Sequence, residues 1–186
     1  MKKSARERIL QAASDLFYKE GVRAVGIDRV IDESGVAKAS FYRNFASKDD
    51  LIVNYLEYRG DLTLERLEEA ERLHPDSPKM QLFAMVDGLV ERINQSDYRG
   101  CPFMNTVVEF PDSNHPAHQR AVENRRELWG KVEEVMRKGR AQNPEELAAQ
   151  LRMLCSGAIM VSYVDKSAFN REHFLSAARL LIERQM

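Results

Sequence analysis

The stretch Gly35-Val36-Ala37-Lys38-Ala39-Ser40-Phe41-Tyr42-Arg43-Asn44-Phe45-Ala46-Ser47-Lys48 decides how this chain is read. Val36, Phe41 and Phe45 follow at spacings of five and four, which puts them on one side of a short helix, against neighbouring helices. Lys38, Ala39, Ser40, Tyr42 and Asn44 are left for the other side. The small side chains at Ala39 and Ser40 let a helix backbone sink into a DNA major groove about 12 Å wide, where hydroxyl and amide groups reach base edges. Tyr42 and Lys48 are placed to grip phosphate on either side, Lys48 at the positively polarised start of the following helix. Just upstream, a short helix over Ile27 to Glu33 stops at Ser34-Gly35, and two short helices around a glycine-containing turn predict a helix-turn-helix.

Working outward, helical punctuation continues to both ends. A first helix is expected from Ser4 to Lys19, burying Ile9, Ala12, Ala13, Leu16 and Phe17 and stopping at Gly21. Ser47-Lys48-Asp49-Asp50 caps a fourth helix that runs to about Leu73, with a possible bend at Gly60. Ser77-Pro78 opens a fifth, carrying Leu82, Phe83, Val86, Leu89, Val90 and Ile93, and Tyr98-Arg99-Gly100 breaks it. Residues 101–114 hold at most a short apolar helix. A long amphipathic helix follows from Pro116 to Lys138, closed by Gly139. Asn143-Pro144-Glu145-Glu146 caps the next, which runs to about Asp165, and a last helix carries Phe174, Ala177, Ala178, Leu181 and Ile182. No period-two alternation argues for a sheet, so the expectation is an all-α fold of about nine helices.

The composition agrees with a folded chain: 186 residues, 44% hydrophobic and 31% charged. No apolar run is expected to reach the roughly 18 residues of a membrane helix, and residues 1–20 lack a signal-type apolar core, so a cytoplasmic protein is expected. Cys101 and Cys155 are too few for a disulfide framework or a four-ligand zinc site. The net charge of -1 hides an asymmetry: residues 1–48 carry ten Lys and Arg against six Asp and Glu, the remainder eighteen against twenty-three. The basic quarter is the one that holds the helix-turn-helix. Lys2, Lys3 and Arg6 at its start are either a solvated tail or an arm for the minor groove.

Arg8-Ile9-Leu10-Gln11-Ala12-Ala13 with Leu16-Phe17, then Gly21, then the Gly35 to Lys48 segment, resemble in order and spacing the N-terminal pattern of the TetR/AcrR-like family of bacterial transcriptional regulators. The resemblance covers about the first 55 residues. It implies that Lys38, Ser40, Tyr42 and Lys48 contact DNA, and Ala39 and Asn44 lie on the same face. The chain departs from the pattern with Asn44 where His is common, Ala46 where Pro is common and Gly26 where a hydroxyl residue often begins helix two. The expected organisation is a DNA-binding domain at residues 1–48 and a helical effector-binding and dimerisation domain at residues 49–186. The expected function is a homodimeric repressor released from a near-palindromic operator on double-stranded DNA by a small-molecule effector, with no cofactor and no membrane.

In the C-terminal region, Leu147, Leu151, Leu154, Ala158 and Val161 form a stripe of nearly heptad spacing, and Phe174, Ala178 and Leu181 a second. The resemblance implies that these two final helices pair with their symmetry mates; intrachain core is the other reading. Phe83, Met85, Phe103, Met104, Phe110, Trp129, Met160 and Tyr163 either line an inducer cavity, as the resemblance implies, or are solid core. Cys101, beside Arg99 at a helix start, sits at the edge of that set. It is either a structural thiol or a redox or electrophile sensor. A C-terminal region that binds a protein partner is a third possibility. His115-Pro116-Ala117-His118 has metal-like spacing but no nearby carboxylate or thiol, so it is read as capping polarity. No catalytic motif is present, and an enzyme is not expected.

Overall fold

A computed structural model of the chain describes residues 3–186. Among the described residues there are nine α-helices and no strand: α1 Ala5–Glu20, α2 Ile27–Ser34, α3 Lys38–Asn44, α4 Lys48–Leu73, α5 Pro78–Asn94, α6 Pro102–Glu109, α7 Pro116–Lys138, α8 Pro144–Val164 and α9 Arg171–Gln185, with a 3-10 turn at Lys166–Ala168. The starts are set by local chemistry. Ser4 and Glu7 form a capping box at α1, the Ser4 Oγ accepting from the Glu7 amide at 3.2 Å while the Ser4 amide donates to Glu7 Oε2 at 2.7 Å. Ser47 accepts from the Asp50 amide at 3.1 Å, and Asn143 accepts from the Glu146 amide at 3.2 Å. Gly26, by contrast, begins α2 without any side-chain cap.

The chain packs as two compact units. The first takes the residues up to Asp61 together with Cys101–Arg125, and the second takes Leu62–Gly100 with Arg126–Met186. In the first, Ile9, Ala13 and Phe17 of α1, Val30 of α2, Phe41 and Phe45 of the recognition segment, and Leu51, Ile52, Tyr55 and Leu56 of α4 are buried. Each fully buried large apolar side chain contributes about 1.5–3 kcal/mol relative to exposure. Phe41 and Phe45 lie 5.9 Å apart, and Phe17 meets Tyr55 edge-on at 5.4 Å. The core of the second unit is built from Leu82, Val86, Val90 and Ile93 of α5, Val132 and Met136 of α7, Leu147 and Leu151 of α8, and Ala178 and Ile182 of α9.

Gly60 lies within α4, which runs unbroken from Lys48 to Leu73 as expected, and is a point of close approach to Asn124 of α7. α7 ends at Lys138, directly before Gly139 as expected; the left-handed residue is the next one, Arg140 (φ 55°), and a β-carbon on Gly139 would come within 2.0 Å of Met186 Cε and 3.0 Å of Pro78 Cβ. Gly139 is therefore there for packing. By length and composition α8 is apolar enough to cross a membrane, although Glu145, Glu146 and Arg152 interrupt its apolar residues. Leu147, Ala148, Leu151, Cys155 and Ala158 of that helix are buried in the second unit, as in a core helix of a folded domain.

Candidate nucleic-acid interface

The turn between α2 and α3 is fixed by two features. Gly35 adopts the left-handed conformation (φ 60°, ψ 33°) and ends α2, its amide donating to the Ile31 and Asp32 carbonyls. From α1, the Arg8 guanidinium donates to the Ser34 carbonyl at 2.6 Å and to the Gly35 carbonyl at 2.8 Å. These carbonyls stand at the negative end of α2, so a cation there satisfies acceptors and dipole together. A β-carbon at position 35 would lie 2.9 Å from Arg8 Nη2, which excludes larger residues twice over. Sequence reasoning placed Arg8 only within a pattern; its partners are 26 and 27 positions away, where local periodicity carries no signal.

With the turn held, the inward and outward sides of α3 separate as expected. Phe41 and Phe45 are fully buried and Val36 is half-buried. Lys38, Ala39 and Tyr42 are exposed, and Ser40 and Asn44 are half-buried. Tyr42 has 49% of its surface free, its ring edge-on to Phe41 at 5.3 Å, so it does not fold back into the core. Lys38 is steered by Asp28 of α2, Nζ to Oδ1 2.9 Å, and this hydrogen bond holds its ammonium above the ordinary lysine range. Asn44 Nδ2 donates to the Ser40 carbonyl at 2.7 Å, so part of its hydrogen-bonding capacity closes α3 itself. Arg43, not singled out from the sequence, is exposed in the last turn of α3.

Lys48, the first residue of α4, is partly buried. Its Nζ donates to the Arg23 carbonyl at 3.2 Å, in the turn between α1 and α2. Burial lowers its pKa below the ordinary lysine value, with Glu109 and Asp49 pulling the other way. Of the three cations near the start of the chain, Lys2 lies outside the described residues and Lys3 is exposed. Arg6 hydrogen-bonds Asn54 through Nη2, with its guanidinium 5.3 Å over the Phe45 ring.

The residues expected to form an effector cavity fall into separate surroundings. Cys101 and Phe103 are buried in the first unit, Met104 is half-buried there, and Phe110 lies between the Arg23 guanidinium at 5.2 Å and the His115 ring at 4.4 Å. Phe83 and Met85 flank the core of the second unit, in which Trp129 is buried. Met160 and Tyr163 are 49% and 51% exposed, and this corrects the expectation that they line an interior cavity. They sit on the part of α8 that the core leaves outside. His115 and His118 serve the backbone between α6 and α7: His115 Nδ1 accepts from the Ala117 amide at 3.2 Å, and His118 Nδ1 lies 2.7 Å from the Phe110 carbonyl. Among the described residues no group of three or more metal-ligating side chains occurs.

The expected dimer stripes are also divided. Leu147, Leu151, Ala158, Phe174 and Ala178 are buried in the core of the second unit, the intrachain alternative given above. Leu154 and Leu181 are half-buried against that core, and Val161 is exposed. The large apolar residues that α8 presents are Met153, Met160, Val161, Tyr163 and Val164, with Leu180 on α9.

A helix-turn-helix with a basic, outward-facing recognition helix, followed in the chain by a larger all-helical region, defines a DNA-binding transcriptional regulator. Residues 9–55 match the family model of the bacterial regulatory proteins of the TetR family, and residues 78–178 match the tetracycline-repressor-like C-terminal domain. The chain belongs to the TetR family. A TetR-family transcriptional regulator from Streptomyces coelicolor of solved structure is 31% identical, with a TM-score of 0.88 over 97% of this chain and 95% of its own. A TetR transcriptional regulator from Streptomyces avermitilis is 25% identical, with a TM-score of 0.82 over 98% of both chains. Among curated sequences, the HTH-type transcriptional regulator YjdC of Escherichia coli is 22% identical over 87% of this chain and 85% of its own length. A regulator from Lactococcus lactis is 28% identical over 58% of this chain, which spans 56% of that relative. The family and these relatives are transcriptional regulators.

Proposed function

We propose that the protein is a cytoplasmic, homodimeric repressor that binds a near-palindromic operator and leaves it when a small-molecule effector binds the C-terminal region. The observation that carries the reading is the division of α3 and its C-terminal cap, with Phe41 and Phe45 in the core, Lys38 and Ala39 exposed, and Ser40 and Tyr42 partly exposed. In it, residues 1–48 form the DNA-binding domain and residues 49–186 the effector-binding and dimerisation domain. Ser40 and Ala39 meet base edges, Lys38 and Asn44 flank them, and Tyr42 and Lys48 take phosphates. One such head discriminates few base pairs, and two heads on half-sites about 34–36 Å apart supply the rest.

The apolar side of α8 supports pairing with a second copy. Met153, Gly157, Met160, Val161 and Val164 recur at helical spacing; the side chains named are exposed, and Gly157 has no atom within 4 Å of a β-carbon position. For the effector, Phe83, Met85 and Trp129 of the second unit are the apolar residues retained from the sequence reading. To carry operator occupancy from 99:1 to 1:99, the effector must favour the released conformation by about 5.5 kcal/mol. Selection of binding sites from random duplex DNA tests the reading. An enriched inverted repeat with half-sites about one helical turn apart is expected, and retention of no sequence by the purified protein would refute it.

A further inference from the structure

The turn that joins α1 to α2 is gripped from two directions by side chains distant in sequence. From the last residue of α6, the Glu109 carboxylate accepts from the Val22 amide through Oε1 at 3.1 Å and from the Arg23 amide through Oε2 at 2.6 Å. From the first residue of α4, Lys48 Nζ donates to the Arg23 carbonyl at 3.2 Å. The Arg23 guanidinium lies 5.2 Å over the ring of Phe110, the residue after Glu109. Val22 and Val25 are both 2% exposed, so the backbone of this turn enters the core on either side of Arg23. Both oxygens of one carboxylate are thus committed to adjacent backbone donors. Such charge-assisted bonds are shorter and roughly twice as strong as neutral ones.

We propose that Glu109 is a positioning residue for operator binding: through the Val22 and Arg23 amides it fixes the α1–α2 turn, and with it the placement of α2 and α3, without itself touching DNA. The inference rests on the regulator reading above and adds to it a residue outside the helix-turn-helix. Lys48 shares the task. Its ammonium has three donors, so it holds the Arg23 carbonyl and still offers hydrogen bonds to a phosphate. An acid beside a DNA-binding cation lowers DNA affinity if it acts only by its charge. A positioning role has the opposite sign for the specific site, and this difference makes the idea testable.

In Glu109→Gln the amide keeps one acceptor and turns a donor toward a backbone N–H, so one of the two bonds is lost and a donor opposes a donor. The expected result is an operator affinity lower by about tenfold, with affinity for non-specific duplex unchanged or higher, and faster hydrogen exchange at the Val22 and Arg23 amides only. Glu109→Asp keeps the charge and shortens the reach, and should show an intermediate loss in a chain that melts as the wild type does. Wild-type or tighter operator binding by Glu109→Gln, equal losses on operator and non-specific DNA, or unaltered exchange at the two amides would each overturn the proposal. Failure of the wild-type protein to select any DNA would instead strike the regulator reading, and the exchange measurement would still decide whether Glu109 fixes the turn.

Discussion

Gly60 of α4 and Asn124 of α7 stand so close that a β-carbon on Gly60 would lie 2.0 Å from Asn124 Nδ2. Asn124 is 6% exposed and its Oδ1 accepts from Arg120 Nε at 2.9 Å, so it has little room to turn aside. Alanine in a helix interior ordinarily gains about 1 kcal/mol over glycine. Here overpacking should win, and Gly60→Ala should lose about 1–3 kcal/mol in chemical denaturation. Adding Asn124→Ala should return most of the loss. An unchanged midpoint in Gly60→Ala would show that the asparagine yields freely.

Ser40 and Lys48 should separate base reading from phosphate contact. Ser40→Ala is expected to change the preferred sequence in a binding-site selection with little effect on non-specific affinity. Lys48→Ala should weaken binding to all duplexes and reduce the slope of log K against log salt by about one. A Lys48→Ala protein with the wild-type salt slope would leave the lysine with only its Arg23 contact.

The exposed apolar side of α8 predicts where a second copy sits. Met160→Glu, or Val164→Glu, replaces a surface side chain and so should change the unfolding free energy of the protomer by less than about 1 kcal/mol. Sedimentation should then find a monomer, and operator affinity should collapse. A dimer of wild-type strength in both variants would place the interface elsewhere.

Tyr55 is 1% exposed, and burial drives its phenol well above the usual tyrosine range, with Arg59 opposing. The folded pKa is the higher one, so the contribution to stability is intact below the unfolded value of about 10 and is lost as pH rises above it. The thermal midpoint of the wild-type protein should therefore fall more steeply above about pH 10 than that of Tyr55→Phe. Parallel curves would mean that the hydroxyl ionises as readily in the fold as outside it.

Cys101 and Cys155 are both 6% exposed. Both thiols should react with a water-soluble alkylating reagent only slowly in the native protein and at once in denaturant. Fast native labelling of Cys101 with concurrent release of operator, absent in Cys101→Ser, would instead establish a thiol sensor.

Helix order and boundaries were legible because their determinants are local. Ser4, Ser47, Ser77 and Asn143 sit within three residues of the amides they cap, and each observed start lies within a residue or two of the expected one. The inner side of α3 was legible for the same reason: Phe41 and Phe45, four residues apart, fix it, and both are buried. What was not legible depends on partners far along the chain. Nothing near Glu109 in the sequence announces that it binds the backbone of Val22 and Arg23, 87 and 86 positions away. In α8 the difficulty is different. Apolar residues surround the helix, and periodicity does not say which side meets its own chain, so interface and core both remain open for Leu147, Leu151 and Ala158 until the structure buries them.

Lys38 and Ala39 of α3 face outward, and Tyr42 keeps half of its surface free, while the interior of the head is supplied by Phe41, Phe45, Ile9 and Val30. Target choice and foldability thereby rest largely on different residues of the same small head. A duplicated gene can drift to a new operator by changing the first set while the second stays fixed, with no unstable intermediate on the way, and an engineer can transplant the outward residues of a relative into this scaffold on the same terms.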